Sequence, residues 1–376
     1  MHLFDINLDK GLLLAAKLDA KYAPALERYS PARRASTALY FLPHKSQKEI
    51  LSVTRPRIVK WYCPFANQQD FPSGHRYCIN VYTGCEHKCI YCYAQGYEPQ
   101  QTICKENYKK KLAKDLSELA EFNVPPAPLH LSNSTDPCQP IELTQKLTLY
   151  TLKEILKYRK FFTSIVILTK NPSILACDEY LEILKKLATL PDNHQCKETF
   201  DKQNIPALRI ETSLAFSNQN DADFFDPSAP AIKERMQAIK MLRKNDLAVI
   251  LRVDPLLPRD PLINGKSLKD FNLPDSQSLD KLEVLIKFAS ENRLHHIVYS
   301  VTKITQPRYR AMTVEMLNLK YAYEHIAKNQ GLVFRGGSWR LPELIAQEKI
   351  VKPFLKICRK YKLAAYFCKQ NLLNTP

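Results

Sequence analysis

Between Arg76 and Ser300 the sequence alternates between two hydrophobic periods, and this alternation restricts its fold more than any other feature. Residues 77–82 (YCINVY), 129–132, 164–169 (SIVILT), 207–213 (ALRIETS), 248–253 (AVILRV) and 297–300 (IVYS) are short runs, most of them rich in β-branched and aromatic residues. Between them, residues 143–159, 180–190, 231–244 and 279–292 carry apolar side chains at helical spacing. Strands separated by helices pair in parallel, and a sheet covered on both faces has apolar strands rather than alternating ones. No G-x-G-x-x-G follows any strand, so a barrel winding fits better than a doubly wound sheet. The fold class predicted is α/β, a partial (β/α)6 TIM-type barrel of parallel strands. Residues 71–305 form the barrel, 1–70 an N-terminal extension of short helices and loops, and 306–376 a basic C-terminal helical flank.

A chain of 376 residues has ample length for such a core, and its 19 Tyr and 16 Phe exclude intrinsic disorder. No run approaches the 18 or so uncharged apolar residues of a membrane span, so no membrane partner is expected. The 11 cysteines are odd in number and mostly scattered, unlike a secreted disulfide scaffold. The apolar stretch from Gly11 to Ala16 is too short for a secretory signal. A reducing, cytoplasmic location is expected. The net charge of +17 sits mainly in the flanks: residues 1–70 hold 11 basic and 6 acidic side chains, and residues 306–376 hold 13 and 4. An excess of this kind favours polyanionic partners such as nucleic acid, although a lysine-rich composition alone would also produce it.

In a parallel barrel, chemistry gathers at the C-terminal ends of the strands. Directly after the first strand, Cys85, Cys89 and Cys92 stand at C-x3-C-x2-C spacing. Thiolates so close together can bind one soft metal centre. Four ligands would close a structural zinc site, whereas three on a [4Fe-4S] cluster leave one iron open for a small-molecule chelate. Zinc with His87 or a distant cysteine as fourth ligand is the alternative. Against it, the chain has no second C-x2-C or H-x3-H pair.

C-x3-C-x-aromatic-C at the end of a first barrel strand resembles the radical S-adenosylmethionine (SAM) enzymes. The surrounding sequence is similar to their spore photoproduct lyase-like branch. The matching segments are Val81-Tyr82-Thr83-Gly84-Cys85, Cys92-Tyr93-Ala94, Ser134-Thr135-Asp136-Pro137, Gln139-Pro140-Ile141-Glu142 and Ile167-Leu168-Thr169-Lys170. Asp226-Pro227-Ser228-Ala229-Pro230 with Arg235, and Asp254-Pro255-Leu256-Leu257-Pro258, follow in the family's order. The likeness covers residues 76 to 300 and leaves both flanks unmatched.

The resemblance implies a [4Fe-4S] cluster on Cys85, Cys89 and Cys92, with SAM chelating the open iron and an unknown one-electron donor reducing it. It places Tyr91 near the adenine, Ser134 and Asp136 at the amino end of SAM, Lys170 at its carboxylate, and Glu211 and Ser213 at the ribose hydroxyls. Asp136 also suits an Asx-turn before Pro137, and Arg252, within the fifth strand, faces Asp254 as a structural partner. Photoproduct lyase carries a hydrogen-donor cysteine just before its (Ser/Thr)-(Ser/Thr)-Asp sequence. This chain has Asn133 there, which puts photoproduct lyase activity itself in doubt. Cys138, on the other side of Asp136, is the candidate donor, with Tyr93 as relay, or else a small buried filler. The substrate expected is a DNA lesion held by the basic flanks. A peptide, RNA or metabolite substrate, or a non-catalytic zinc-bound nucleic-acid binding protein, are the alternatives.

Overall fold

A computed structural model describes residues 57–60, 77–99, 101–121 and 126–368. The expectation for residues 1–70 therefore lies almost wholly outside the described residues.

Seven strands form the central sheet: β1 (Tyr77–Ile79), β2 (Ala127–Leu131), β3 (Phe162–Thr169), β4 (Leu208–Ser213), β5 (Ala248–Leu256), β6 (Ile297–Val301) and β7 (Ala365–Phe367). Each pairs in parallel with the next in chain order. This consecutive winding, without reversal, is that of a partial barrel rather than a doubly wound sheet. The helices that cover it include α1 (Tyr108–Glu121), α2 (Leu147–Lys157), α3 (Asp178–Ala188), α4 (Ile232–Lys244), α5 (Leu279–Glu291), α6 (Val314–Ala327) and α7 (Lys352–Lys360). In α3, Tyr180, Leu181, Ile183, Leu184 and Leu187 form the buried face. Asp178 and Glu179 in its first turn and Lys185 and Lys186 in its last complement the helix dipole.

Side chains alternate across the strands. Ile165 and Ile167 of β3, Leu208 and Ile210 of β4, and Val249, Leu251 and Val253 of β5 join the hydrophobic core. The alternate positions of β4 and β5 present Arg209, Glu211 and Ser213, then Arg252 and Asp254, to the other side. That polar side carries the site.

Three expectations are corrected. The C-terminal flank is not purely helical: its last described residues supply a seventh strand, β7, beside β6. A strand of three residues beside α7 shows no period of its own. The run 77–82 is not one strand. The chain leaves the sheet after Ile79 because the Asn80 side chain bonds Ser134 Oγ (2.6 Å) and the Asn133 amide (3.1 Å), and Tyr82–Thr83 pairs instead with Ile103–Cys104. Finally, the helix expected over 143–159 is interrupted at Lys146, which adopts a left-handed backbone (φ 47°). The Glu142 carboxylate accepts the amides of Thr148 and Leu149 at 2.9 and 3.0 Å, which caps α2 and fixes the break.

Among the described residues no helix is long and apolar enough to cross a membrane.

Candidate cluster and cofactor site

The predicted residues converge on the face formed by the C-terminal ends of β1 to β4. Cys85, Cys89 and Cys92 lie in the loop after β1, Ser134 and Asp136 after β2, and Lys170 after β3, while Glu211 and Ser213 close β4. The cysteine loop begins at Gly84, whose φ is +80°. A Cβ there would lie 2.3 Å from the Gln101 carbonyl oxygen, so glycine is required both for the turn and for the close approach.

The loop after β2 holds the cysteine loop in place. Thr135 Oγ1 donates to the Gly84 carbonyl, Gln139 Oε1 accepts the Glu86 amide at 2.8 Å, and Glu86 Oε2 accepts the Ile141 amide at 2.8 Å. From the other side the Ile90 amide reaches the Phe225 carbonyl at 3.0 Å, and Gln95 Nε2 donates to the Cys89 carbonyl at 2.9 Å. The loop after β2, Phe225 and the turn that holds Gln95 thus fix the backbone that carries three thiols. The ten described cysteines are all free, and Cys63 lies outside the described residues. Burial pushes the thiols of Cys85, Cys89 and Cys92 up, so ligation of a cation has to displace their protons. Among the described residues no three His, Cys, Asp or Glu side chains gather for a single metal ion.

Asp136 is a structural tie. Its Oδ1 accepts the Cys138 amide (2.8 Å) and Thr169 Oγ1 (2.7 Å), and its Oδ2 accepts the Lys170 amide (2.6 Å) and faces His87 Nε2 (3.1 Å). Burial would raise its carboxyl, but His87 and these hydrogen bonds outweigh burial and hold it low. The Asx-turn expected before Pro137 is present, and it joins β2, β3 and the cysteine loop. His87 has both ring nitrogens engaged, by Asp136 and by the Ser228 carbonyl at 3.3 Å.

Lys170 is likewise committed. Its Nζ contacts Asp226 Oδ2 and Tyr91 Oη, both at 2.9 Å, with Ser213 Oγ at 3.4 Å. Burial alone would lower its pKa, but Asp226 outweighs burial and holds it above the usual lysine value. Tyr91 donates to Asp226 and packs on Phe216 and Phe225, whose rings stack at 5.2 Å. Asp226 and Arg235 appeared in the sequence only as parts of a motif and carried no expected role.

Glu211 does not stand free for a ligand. It pairs with Arg252, which also binds Asp254, so the partner expected for Arg252 is found and a second one with it. Burial pushes the Glu211 carboxyl up, but Arg252, with His130 and Arg209 beyond it, holds it at about 2 against an ordinary value of 4.5. A carboxyl lowered in the fold contributes stability that is fully present above about pH 4.5 and is lost as the pH falls towards 2. Denaturant midpoints should therefore drop across that window, and Glu211→Gln should flatten the drop. An unchanged slope in the variant would count against the pair.

Cys138 has no exposed surface and packs in the main hydrophobic core, its amide on Asp136 and its carbonyl accepting Asn171 Nδ2 at 2.9 Å. The filler alternative describes this environment better than a donor open to substrate. Tyr93 donates to the Asn133 carbonyl, with Lys303 Nζ 5.4 Å from its ring centre. The thiol that sequence reasoning missed is Cys368, exposed just beyond β7, with its sulfur 2.8 Å from Arg252 Nη2. Its position depends on β7, which left no periodic signal.

No protein-family profile matches the chain. An uncharacterised protein of Methanocaldococcus jannaschii is 27% identical over 193 residues, 49% of this chain. The chain spans only 62% of that protein's length. The solved structures it is similar to include spore photoproduct lyase and radical SAM enzymes. A spore photoproduct lyase variant with a dinucleoside spore photoproduct is 15% identical, with a TM-score of 0.48 over 82% of this chain and 79% of that one. SuiB of Streptococcus suis, bound to its precursor peptide SuiA, is 12% identical, with a TM-score of 0.41 over 81% and 53%.

Proposed function

We propose that the chain is a radical SAM enzyme that carries a [4Fe-4S] cluster on Cys85, Cys89 and Cys92. The observation that carries this reading is one short loop, at the C-terminal face of a parallel barrel, that presents three thiols and is fixed by hydrogen bonds from its neighbours. When bound, the cluster and SAM together supply a 5′-deoxyadenosyl radical that abstracts hydrogen from a substrate.

The chain's own residues bind and orient. Tyr91, between two cluster cysteines and against the Phe216–Phe225 pair, offers an apolar wall for an adenine. Ser134, held by Asn80, offers a hydroxyl to the amino end of the cofactor, and Ser213 offers another to its ribose. Lys170 brings positive charge for the carboxylate, and Asp136 fixes the loops that carry these groups. Glu211 acts through Arg252 rather than by direct contact with the ribose. Tyr93 and Cys138 remain the proposed hydrogen relay and donor; the depth of Cys138 favours Tyr93 as the group nearer to substrate.

DNA, or another polyanion, is the proposed substrate class. Lys349, Lys352, Lys356, Arg359, Lys360 and Lys362 are exposed on and beside α7, while Phe354, Ile357 and Cys358 bury its other face. Such a surface suits phosphates and predicts binding that weakens with salt. The free thiols are consistent with a cytoplasmic protein. The zinc alternative has less support, because the nearest histidine, His87, is already engaged at both nitrogens.

The test is anaerobic reconstitution with iron and sulfide, then reduction in the presence of SAM, with and without DNA. About four irons per chain and formation of 5′-deoxyadenosine are expected, with more formed when DNA is present. A full cluster that yields no deoxyadenosine would sink the radical reading, and stimulation by RNA or peptide but not DNA would move the substrate.

A further inference from the structure

One set of contacts with the cysteine loop comes from beyond residue 300, where the family likeness ends. Residues 304–310 follow β6 and pass beside the turn that closes the loop. A Cβ on Gly96 would stand 2.9 Å from Thr305 Cγ2, so the two segments touch. The Arg308 amide donates to the Gln95 carbonyl at 3.0 Å. Arg310, 215 residues from Gln95 in the chain, donates from Nη2 to Gln95 Oε1.

The other end of the same side chain faces into the loop. Gln95 Nε2 donates to the Cys89 carbonyl at 2.9 Å and to the Ile90 carbonyl at 3.2 Å. The Cys89 carbonyl also accepts the Cys92 amide at 3.2 Å, which closes the turn between two of the thiols. Only one orientation of the carboxamide satisfies these neighbours. Reversed, it would set its oxygen against two carbonyls and its nitrogen against a guanidinium. Arg310 therefore decides which way the carboxamide points, and the carboxamide decides where two carbonyls of the turn lie.

We infer that Gln95 and Arg310 are positioning residues for the turn from Cys89 to Cys92. A segment outside the matched core thus shapes the loop that carries the thiols. The effect on the turn is a property of the protein alone. Its bearing on a bound cluster rests on the three-thiol reading above.

Alkylation of the full-length apoprotein with a maleimide, under anaerobic conditions, tests this, with the rates at Cys89 and Cys92 read by mass spectrometry. Cys89 is 9% exposed, so its rate reports opening of the turn. Gln95→Leu should raise both rates about tenfold, the effect of losing two hydrogen bonds. Gln95→Glu discriminates most sharply. Its carboxylate keeps Arg310 but faces two carbonyls, so it should react as fast as Gln95→Leu while melting at the wild-type temperature. A residue that merely anchored 304–310 to the loop would leave the Gln95→Glu rates unchanged. Arg310→Met should raise the rates less, Arg310→Lys should restore them, and Arg310→Met should add nothing to Gln95→Leu. Wild-type rates in Gln95→Glu, or full additivity in the double variant, would overturn the inference. Should Gln95→Leu fail to fold, Gln95→Glu and the two Arg310 variants still decide it. After reconstitution with iron and sulfide, the fast-reacting variants should also lose iron to a chelator faster than wild type. A wild-type chain that takes up no iron would remove the three-thiol reading and leave the alkylation result standing.

Discussion

Replacing any one of Cys85, Cys89 and Cys92 with alanine is expected to abolish cluster retention and reduce 5′-deoxyadenosine formation to background. Three thiolates are the fewest that hold a four-iron cluster while leaving one iron open. Among the described residues no obvious substitute stands nearby: Cys138 is buried in the core, and Cys368 lies beside Arg252 at the end of β7. The loss should be chemical rather than structural. Amides of His87, Ala94 and Gln95 reach the sulfurs of Cys85 and Cys92, but the contacts of the Gly84, Glu86, Cys89 and Ile90 backbone hold the loop independently of the thiols. Iron and sulfide assays, deoxyadenosine chromatography and a thermal melt separate the two. A single alanine variant that kept full iron content and deoxyadenosine yield would remove the foundation of the functional reading.

Glu142→Ala should be the most damaging single change to stability. The Glu142 carboxylate is fully buried and accepts four donors: Tyr82 Oη, Tyr180 Oη at 2.6 Å, and the amides of Thr148 and Leu149. Alanine would leave two buried hydroxyls and two buried amides without an acceptor. At about 1–3 kcal/mol for each unsatisfied group, even partial rescue by water leaves a loss of about 4 kcal/mol. Glu142→Gln keeps the shape and one acceptor oxygen, so it should fall between alanine and wild type. Because Tyr82 leads into the cysteine loop and Glu142 directly follows Ile141, the alanine variant should also loosen the thiol loop. Denaturant titration would show the loss, and an unfolding free energy within about 0.5 kcal/mol of wild type would refute the argument.

The barrel was legible because parallel strands buried on both faces must be apolar, so residues 164–169 and 248–253 could hardly be anything else. β7 was not, since three residues beside a basic helix are too few to show a period. The three cysteines stood out by spacing alone, because thiols close together in one loop are held near one another in space whatever the rest of the fold does. The partners of the other site residues were not. Asp136 and Lys170 could be picked out by their place after the strands, but that one is saturated by His87, Thr169 and the Lys170 amide, and the other by Asp226, depends on contacts across 33 to 56 residues. The pairing of Arg252 with Asp254 was readable because period-two geometry puts residues two apart on one side of a strand. Its second partner, Glu211, sits on a different strand and left no local trace.

The order of the sheet has a consequence for how the molecule is made. Every strand lies beside the one synthesised before it, so the barrel can be laid down as the chain emerges, without a later strand being threaded between two earlier ones. The exception in tempo is the final addition: 63 residues separate Val301 from Ala365. During their synthesis β6 offers its backbone groups to any passing strand. The nascent chain is most exposed to wrong pairing at that stage, and the last three residues of the sheet bring it to an end.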